Sequence, residues 1–279
     1  MSLWYALWDS LPFELFHWQF MQNALLAIII IAPLLGLTST MIVTGRMSFF
    51  SDALGHSAFT GIAIGAIFGI FSPTLVSVIF SLIFALVFSY IRCRSNHTAD
   101  TLIGVFSSTA VALGIFMATL NGGSFTKYNK YLIGDILSVT PGEIGMLTIV
   151  LTCVILFWII ASNRLTLAAV YPQLASSRGI PVNLTQTIFT AAIAIIVTLS
   201  ISWVGLLILN SLLVLPGAAA RNLAKNLKQY HALSVLFAFL AGIGGLCLSY
   251  YWGASAGAAI SLVLAAFFAI SFLYRKVRS

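Results

Sequence analysis

Nine stretches of this chain are apolar over close to the length that a helix needs to cross a bilayer, about 20 residues. They cover residues 20–43, 47–71, 73–91, 101–120, 143–161, 182–203, 205–220, 231–251 and 257–274. The two runs on either side of Trp203 are cramped, so one of them is expected to be short, broken or re-entrant, and the sequence supports eight or nine spans. Only 7% of the 279 residues are charged, against about 25% in soluble domains. Such a chain lacks the polar groups to cover its own surface and has to be solvated by lipid. A large soluble domain is excluded. The expected fold class is all-α, one polytopic transmembrane helix bundle over residues 1–279.

Charge placement sets the expected orientation. With Arg275, Lys276 and Arg278 in the cytoplasm, nine spans leave the N-terminus outside. Arg46, Arg92, Arg94, Arg164, Arg178, Arg221, Lys225 and Lys228 then fall inside as well, and only Lys127 and Lys130 fall outside. The net charge of +7 is therefore a topology signal, not a nucleic-acid footprint. No Lys or Arg precedes the first span, so the basic region of a cleavable signal is missing. Residues 1–19, with Trp4, Trp8, Trp18, Asp9 and Glu14, read instead as an interfacial segment. Two connections stand apart. The inside stretch 164–181 is too polar to span and too long for a tight turn, and is expected to form a short helix on the cytoplasmic face where a soluble partner docks. The outside stretch 121–142, which contains Asp135, is expected to cap an entrance.

Five of the six acidic residues lie in loops or at ends, and Asp52 is the exception. An ionisable group inside a span costs about 2.5–3.5 kcal/mol on insertion scales, which makes it a functional candidate by default. His56 follows four residues later, so both side chains share one helical face. Counted as continuous helix from Arg46 at the inner boundary, His56 lies about 15 Å deep, half-way through the hydrocarbon. Carboxylate oxygen with imidazole nitrogen suits zinc, manganese or iron(II). Two ligands are too few for a closed structural zinc site, as a site that must release its ion requires. A buried Asp–His hydrogen bond pinning two helices, or a proton relay, would use the same pair.

Asn210, and Ser108 with its neighbours Ser107 and Thr109, are further polar groups that a pathway would use, although such residues more often bond helix to helix. Pro216-Gly217 is expected to break or end its span. Gly61, Gly65 and Gly69 form a small-xxx-small series suited to close helix approach. His17, His97 and His231 read as solvated or interfacial, and Cys93, Cys153 and Cys247 as small buried side chains. No Walker A loop is present, so the chain by itself cannot power transport with ATP. No His-Glu-x-x-His occurs, and Gly253-Ala-Ser-Ala-Gly257 lacks the strand that a nucleophile elbow needs, so it reads as a turn.

The stretch Gly45-Arg-Met-Ser-Phe-Phe-Ser-Asp-Ala-Leu-Gly-His56 resembles the signature of zinc/manganese/iron ABC-transporter permeases, with the zinc-uptake branch nearest. Asp100-Thr-Leu-Ile-Gly104, Tyr131-Leu-Ile-Gly-Asp-Ile-Leu137, the segment 204–216 and the basic tail follow in the family's order. The resemblance implies a non-catalytic half-permease in the bacterial cytoplasmic (inner) membrane. Two copies, most simply a homodimer, would form the pathway. A separate cytoplasmic ATPase would drive it and an extracytoplasmic receptor would deliver the ion. It implies no resident cofactor: the divalent metal, zinc first and manganese or iron(II) next, is cargo. It places the transport site at Asp52 and His56, and the coupling helix at 165–180, with Tyr171, Gln173, Leu174, Arg178 and Gly179 facing the ATPase. Three positions depart from the family: Ser108 stands where zinc permeases often carry His, Gln173 where an acid is common, and 253–257 where Asp-x-Pro-x-Gly is usual. A different class of reading, an ion-coupled secondary transporter with Asp52 as proton carrier, is disfavoured by the single ionisable site and the long inside segment.

Overall fold

The computed structural model describes Trp4 and residues 18–69, 72–120 and 136–278. The interfacial segment expected at 1–19, apart from Trp4 and its last two residues, lies outside the described residues. So do Lys127, Lys130, Asp135 and most of the entrance cap expected at 121–142. Every described regular element is helical. They run α1 Gln19–Thr44, α2 Phe50–Phe68, α3 Pro73–Arg94, α4 Ala99–Thr119, a 3-10 turn Ile136–Ser138, α5 Pro141–Val170, α6 Pro172–Ser177, α7 Val182–Val204, α8 Leu206–Leu223, α9 Leu227–Trp252 and α10 Ala256–Arg278. Eight of these helices are long and apolar enough to cross a membrane. Only α2 and the short α6 are not among them, and α2 carries Asp52 and His56 within its 19 residues.

Two compact units divide the chain. In the unit of residues 41–133 and 157–202, α2 packs along both α3 and α4, while those two barely touch each other. Small residues make this possible. A Cβ on Gly61 would meet Ser77 Cα at 2.5 Å, and one on Gly65 would meet Pro73 Cα at 2.9 Å. Hydroxyls then knit the helices: Ser57 Oγ donates to Ser81 Oγ at 3.0 Å, Ser77 Oγ to the Ala58 carbonyl at 2.7 Å and Thr60 Oγ1 to the Ala110 carbonyl at 2.7 Å. Gly69 departs from the expected packing series. It caps α2 in the left-handed conformation at φ 61°, with open space where a Cβ would stand. In lipid, packing and hydrogen bonds hold helices together, because tails are as apolar as Leu.

In the unit of residues 1–40, 134–156 and 203–279, α8, α9 and α10 pack against one another. Gly245 lies against Ile260, where a Cβ would come within 2.5 Å. Thr140 and Glu143 start α5: the backbone N–H and the hydroxyl of Thr140 both donate to Glu143 Oε2 at 2.8 Å, beside Pro141 at the first helical position.

Pro216 does not break its helix, contrary to expectation. α8 continues past it to Leu223. Proline removes one backbone donor, and Ser39 of α1 repairs the ladder beside it: its Oγ accepts from the Gly217 N–H at 2.9 Å and donates to the Val214 carbonyl at 3.4 Å. His231 is also corrected. It is half-buried, with Nδ1 at 2.8 Å from Thr40 Oγ1, and neighbouring Tyr230 donates to the Thr40 carbonyl. The cysteines are not buried, since Cys93 and Cys153 are exposed and Cys247 is intermediate. A thiol is apolar enough to face hydrocarbon.

Of the pair flanking Trp203, neither helix is broken. A single residue, Gly205 at φ 83°, separates α7 from α8, and α8 is short at 18 residues.

Candidate metal site

The connection that aims Asp52 is built from the end of α1. The Met47 N–H donates to the Ile42 carbonyl at 3.0 Å and the Arg46 N–H to the Val43 carbonyl at 3.3 Å. That is a Schellman ending, with Arg46 at φ 53° in the left-handed position that glycine usually takes. α2 starts at Phe50, which is buried and stacks on Phe88 of α3 at 4.5 Å between ring centroids. Asp52 therefore sits in the first turn of α2, where the positive end of the helix favours a carboxylate. The depth count needs correction as well. Residues 46–49 are not helical, so helical rise carries His56 only about 9 Å from Phe50.

Burial around α2 separates the pair from the rest of the helix. From Phe50 to Gly65 every residue is buried except Asp52, His56 and Ile64. These lie on one face at helical spacing, and Thr60, which would complete the stripe, is covered by Ala110. His56 Nε2 stands 3.5 Å from Asp52 Oδ2, with side-chain exposures of 26% and 46%. Two ligands held about 2.0–2.2 Å from a tetrahedral zinc ion stand about 3.4 Å apart, so the pair already has a bidentate spacing. Among the described residues no group of three or more His, Cys, Asp or Glu converges. The pair lies on the one stripe of α2 between Phe50 and Gly65 that stays accessible.

The other residues singled out in the sequence are not brought to this face by any described contact. Ser108 is exposed on α4, nearly opposite the Ala110 edge that meets α2. Asn210 is half-buried on α8, in the other unit. The expected inside helix is shorter than 165–180. α5 continues through Arg164 to Val170, because nothing in that stretch stops a helix until Pro172, which pushes Tyr171 out of the α region at φ −132°. The helix that remains is α6, closed by Arg178 and by Gly179 at φ 73°. Tyr171, Gln173, Leu174, Arg178 and Gly179 are all exposed, and Ala175 alone is buried within α6. Ile64, which completes the open stripe on α2, carries no chemistry that a sequence reading would have singled out.

Comparison with known proteins adds an independent line. The model of the ABC 3 transport family matches residues 17–275. The high-affinity zinc uptake system membrane protein ZnuB of Haemophilus influenzae is 30% identical over 91% of this chain and 97% of its own length. The manganese transport system membrane protein MntC of Halalkalibacterium halodurans is 27% identical over 94% of this chain and 89% of its own. Among solved structures, PsaBC from Streptococcus pneumoniae in complex with Fab superposes with a TM-score of 0.80 at 29% identity, covering 94% of this chain and 96% of that one.

Proposed function

The chain belongs to the ABC 3 transport family, and from that premise we propose that it carries zinc through a pathway lined by Asp52 and His56. It is the membrane-spanning permease of a metal importer and has no catalytic role, because ATP hydrolysis in this family belongs to a separate subunit. One observation carries the proposal: the only open face on the buried part of α2 holds a carboxylate and an imidazole at 3.5 Å. A second copy presenting the same face would supply the two missing ligands, a closed tetrahedral set that opens again when the copies part. That arrangement favours a homodimer. Zinc is ranked first because imidazole with carboxylate suits it and because the zinc-uptake relative aligns over nearly its whole length. The manganese relatives keep that metal next.

The exposed α6, with Leu174 and Tyr171 outward, is the docking element for the ATPase, and a receptor on the opposite face delivers the ion. Counting α2 as a ninth crossing places Arg46, Arg92, Arg94, Arg164, Arg178, Arg221, Lys225, Lys228 and the C-terminus together on the cytoplasmic side of the inner membrane. Leaving it out would split them. The test is co-reconstitution with the ATPase in vesicles, followed by uptake of radiolabelled zinc and manganese with and without ATP. ATP-dependent uptake, with zinc preferred, is expected. Uptake that needs no ATPase and follows a proton gradient would restore the secondary-transporter reading.

A further inference from the structure

Charge is distributed unevenly along the chain. Residues 206–278 contain no Asp or Glu, yet they hold Arg221, Lys225, Lys228, Arg275, Lys276 and Arg278, nearly half of the chain's 13 basic residues. The fold gathers them at one end of the α8–α9–α10 layer. Arg221 lies in the last turn of α8, Lys225 in the connection, Lys228 in the first turn of α9 and Arg275 near the end of α10. The ends are tied by Arg275 Nη1 donating to Asn222 Oδ1 at 3.3 Å, and by Asn222 Nδ2 donating to Ser271 Oγ at 3.1 Å.

Beneath this basic rim runs a groove of about 530 Å³, within the range of roughly 300–1,000 Å³ usual for ligand sites. Its lining runs from Lys225 in the connection through Gln229 to Leu233 and Phe237 along α9, and from Tyr274 back to Phe267 along α10. Phe237 and Phe267 are in ring contact at 5.5 Å. Polar and cationic at one end and aromatic and aliphatic along its length, the groove matches a molecule with an anionic head and a hydrocarbon tail.

We propose that this groove is a binding site for an anionic phospholipid of the leaflet at the end where α8 and α10 finish and α9 begins. One acyl chain lies along Leu233, Phe237 and Phe267, and the phosphate meets Lys225 and Lys228. Two facts select this occupant. The groove lies on helices whose surroundings are bilayer, so hydrocarbon is what fills its apolar length. The complete lack of acids from 206 to 278 gives the rim a preference that zwitterionic lipids do not satisfy, with each basic residue strengthening the attraction. The site is independent of the metal face on α2.

Native mass spectrometry of the purified full chain titrated with phosphatidylglycerol or phosphatidylcholine tests it. Phosphatidylglycerol should be retained more tightly, on the order of tenfold or more. Lys225→Gln combined with Lys228→Gln should bring it down to the phosphatidylcholine level. Ile270→Trp, which fills the groove from its exposed wall, should weaken both lipids, and Leu262→Trp elsewhere on α10 should change neither. Equal retention of the two lipids by the unaltered chain would overturn the proposal. So would an Ile270→Trp variant that binds normally, since charge would then be acting at the surface without the groove. Displacement by inorganic phosphate alone would mean a free-anion site, and an Ile270→Cys variant that cross-links to a second copy or to the ATPase would mean a protein interface. Either of those results overturns the lipid assignment.

Discussion

α2 and α5 meet opposite demands of the same solvent. α5 is the most apolar of the candidate spans and the least buried, with Ile149, Ile159 and Ile160 all at least 65% exposed. α2 carries an acid, a histidine, glycines and hydroxyls, and it is enclosed from Phe50 to Gly65 apart from one stripe. In water the apolar helix would be the core. In lipid, apolar surface gains nothing from being covered, whereas polar and small residues gain close contacts and hydrogen bonds. α2 is therefore enclosed by contacts that its small and polar residues make, while α5 turns its apolar surface to lipid. The part of α2 left open carries Asp52 and His56.

This contrast is testable, and the largest effect should fall on transport. Asp52→Ala and His56→Ala are each expected to abolish ATP-driven zinc uptake while the protein still inserts and elutes as a single species on size exclusion. Full uptake by either variant would mean that the open stripe is not the pathway. Next in size is steric. Gly61→Leu on α2 should destabilise the detergent-solubilised protein by about 3 kcal/mol or more, as overpacking a tight contact does. Gly145→Leu on α5, where a Cβ has open space, should leave the thermal midpoint unchanged. Comparable losses at both positions would erase the distinction between enclosed and lipid-facing helices. The smallest effect concerns single hydroxyls. Thr60→Val removes a bond between helices to Ala110 and should cost roughly 0.6 kcal/mol, the typical value in a membrane protein. Thr152→Val loses only a bond within α5 to Thr148 and should fall below detection in chemical denaturation.

Much of this was legible in the sequence because bilayer thickness imposes a length and a helix imposes a period. The spans, and the shared face of Asp52 and His56, follow from those two rules alone. What sequence could not supply depended on distant residues. Pro216 looked like a stop because the group that repairs its ladder is Ser39, far away in the chain. His231 looked solvated because its partner, Thr40, is equally remote. The count to His56 assumed continuous helix from Arg46, whereas Arg46 adopts a conformation that arginine rarely takes and α2 starts only at Phe50. The inside helix was drawn too long although Tyr171-Pro172 marked its true beginning. That signal was present and local. Gly69 repeated the spacing of Gly61 and Gly65 but serves as a terminus, a distinction that only φ reveals.

The repair of α8 by Ser39 has a mechanical side. A helix whose backbone is completed by its neighbour cannot slide past that neighbour without exposing a donor and an acceptor to hydrocarbon. Each exposed group costs several kcal/mol there. The space that a Cβ on Gly217 would need is filled by Ser39 Oγ at 2.6 Å, so the contact has no room to slip in the other direction either. During a transport cycle α1 and the middle of α8 must therefore travel as one rigid body, and whatever flexes has to flex elsewhere.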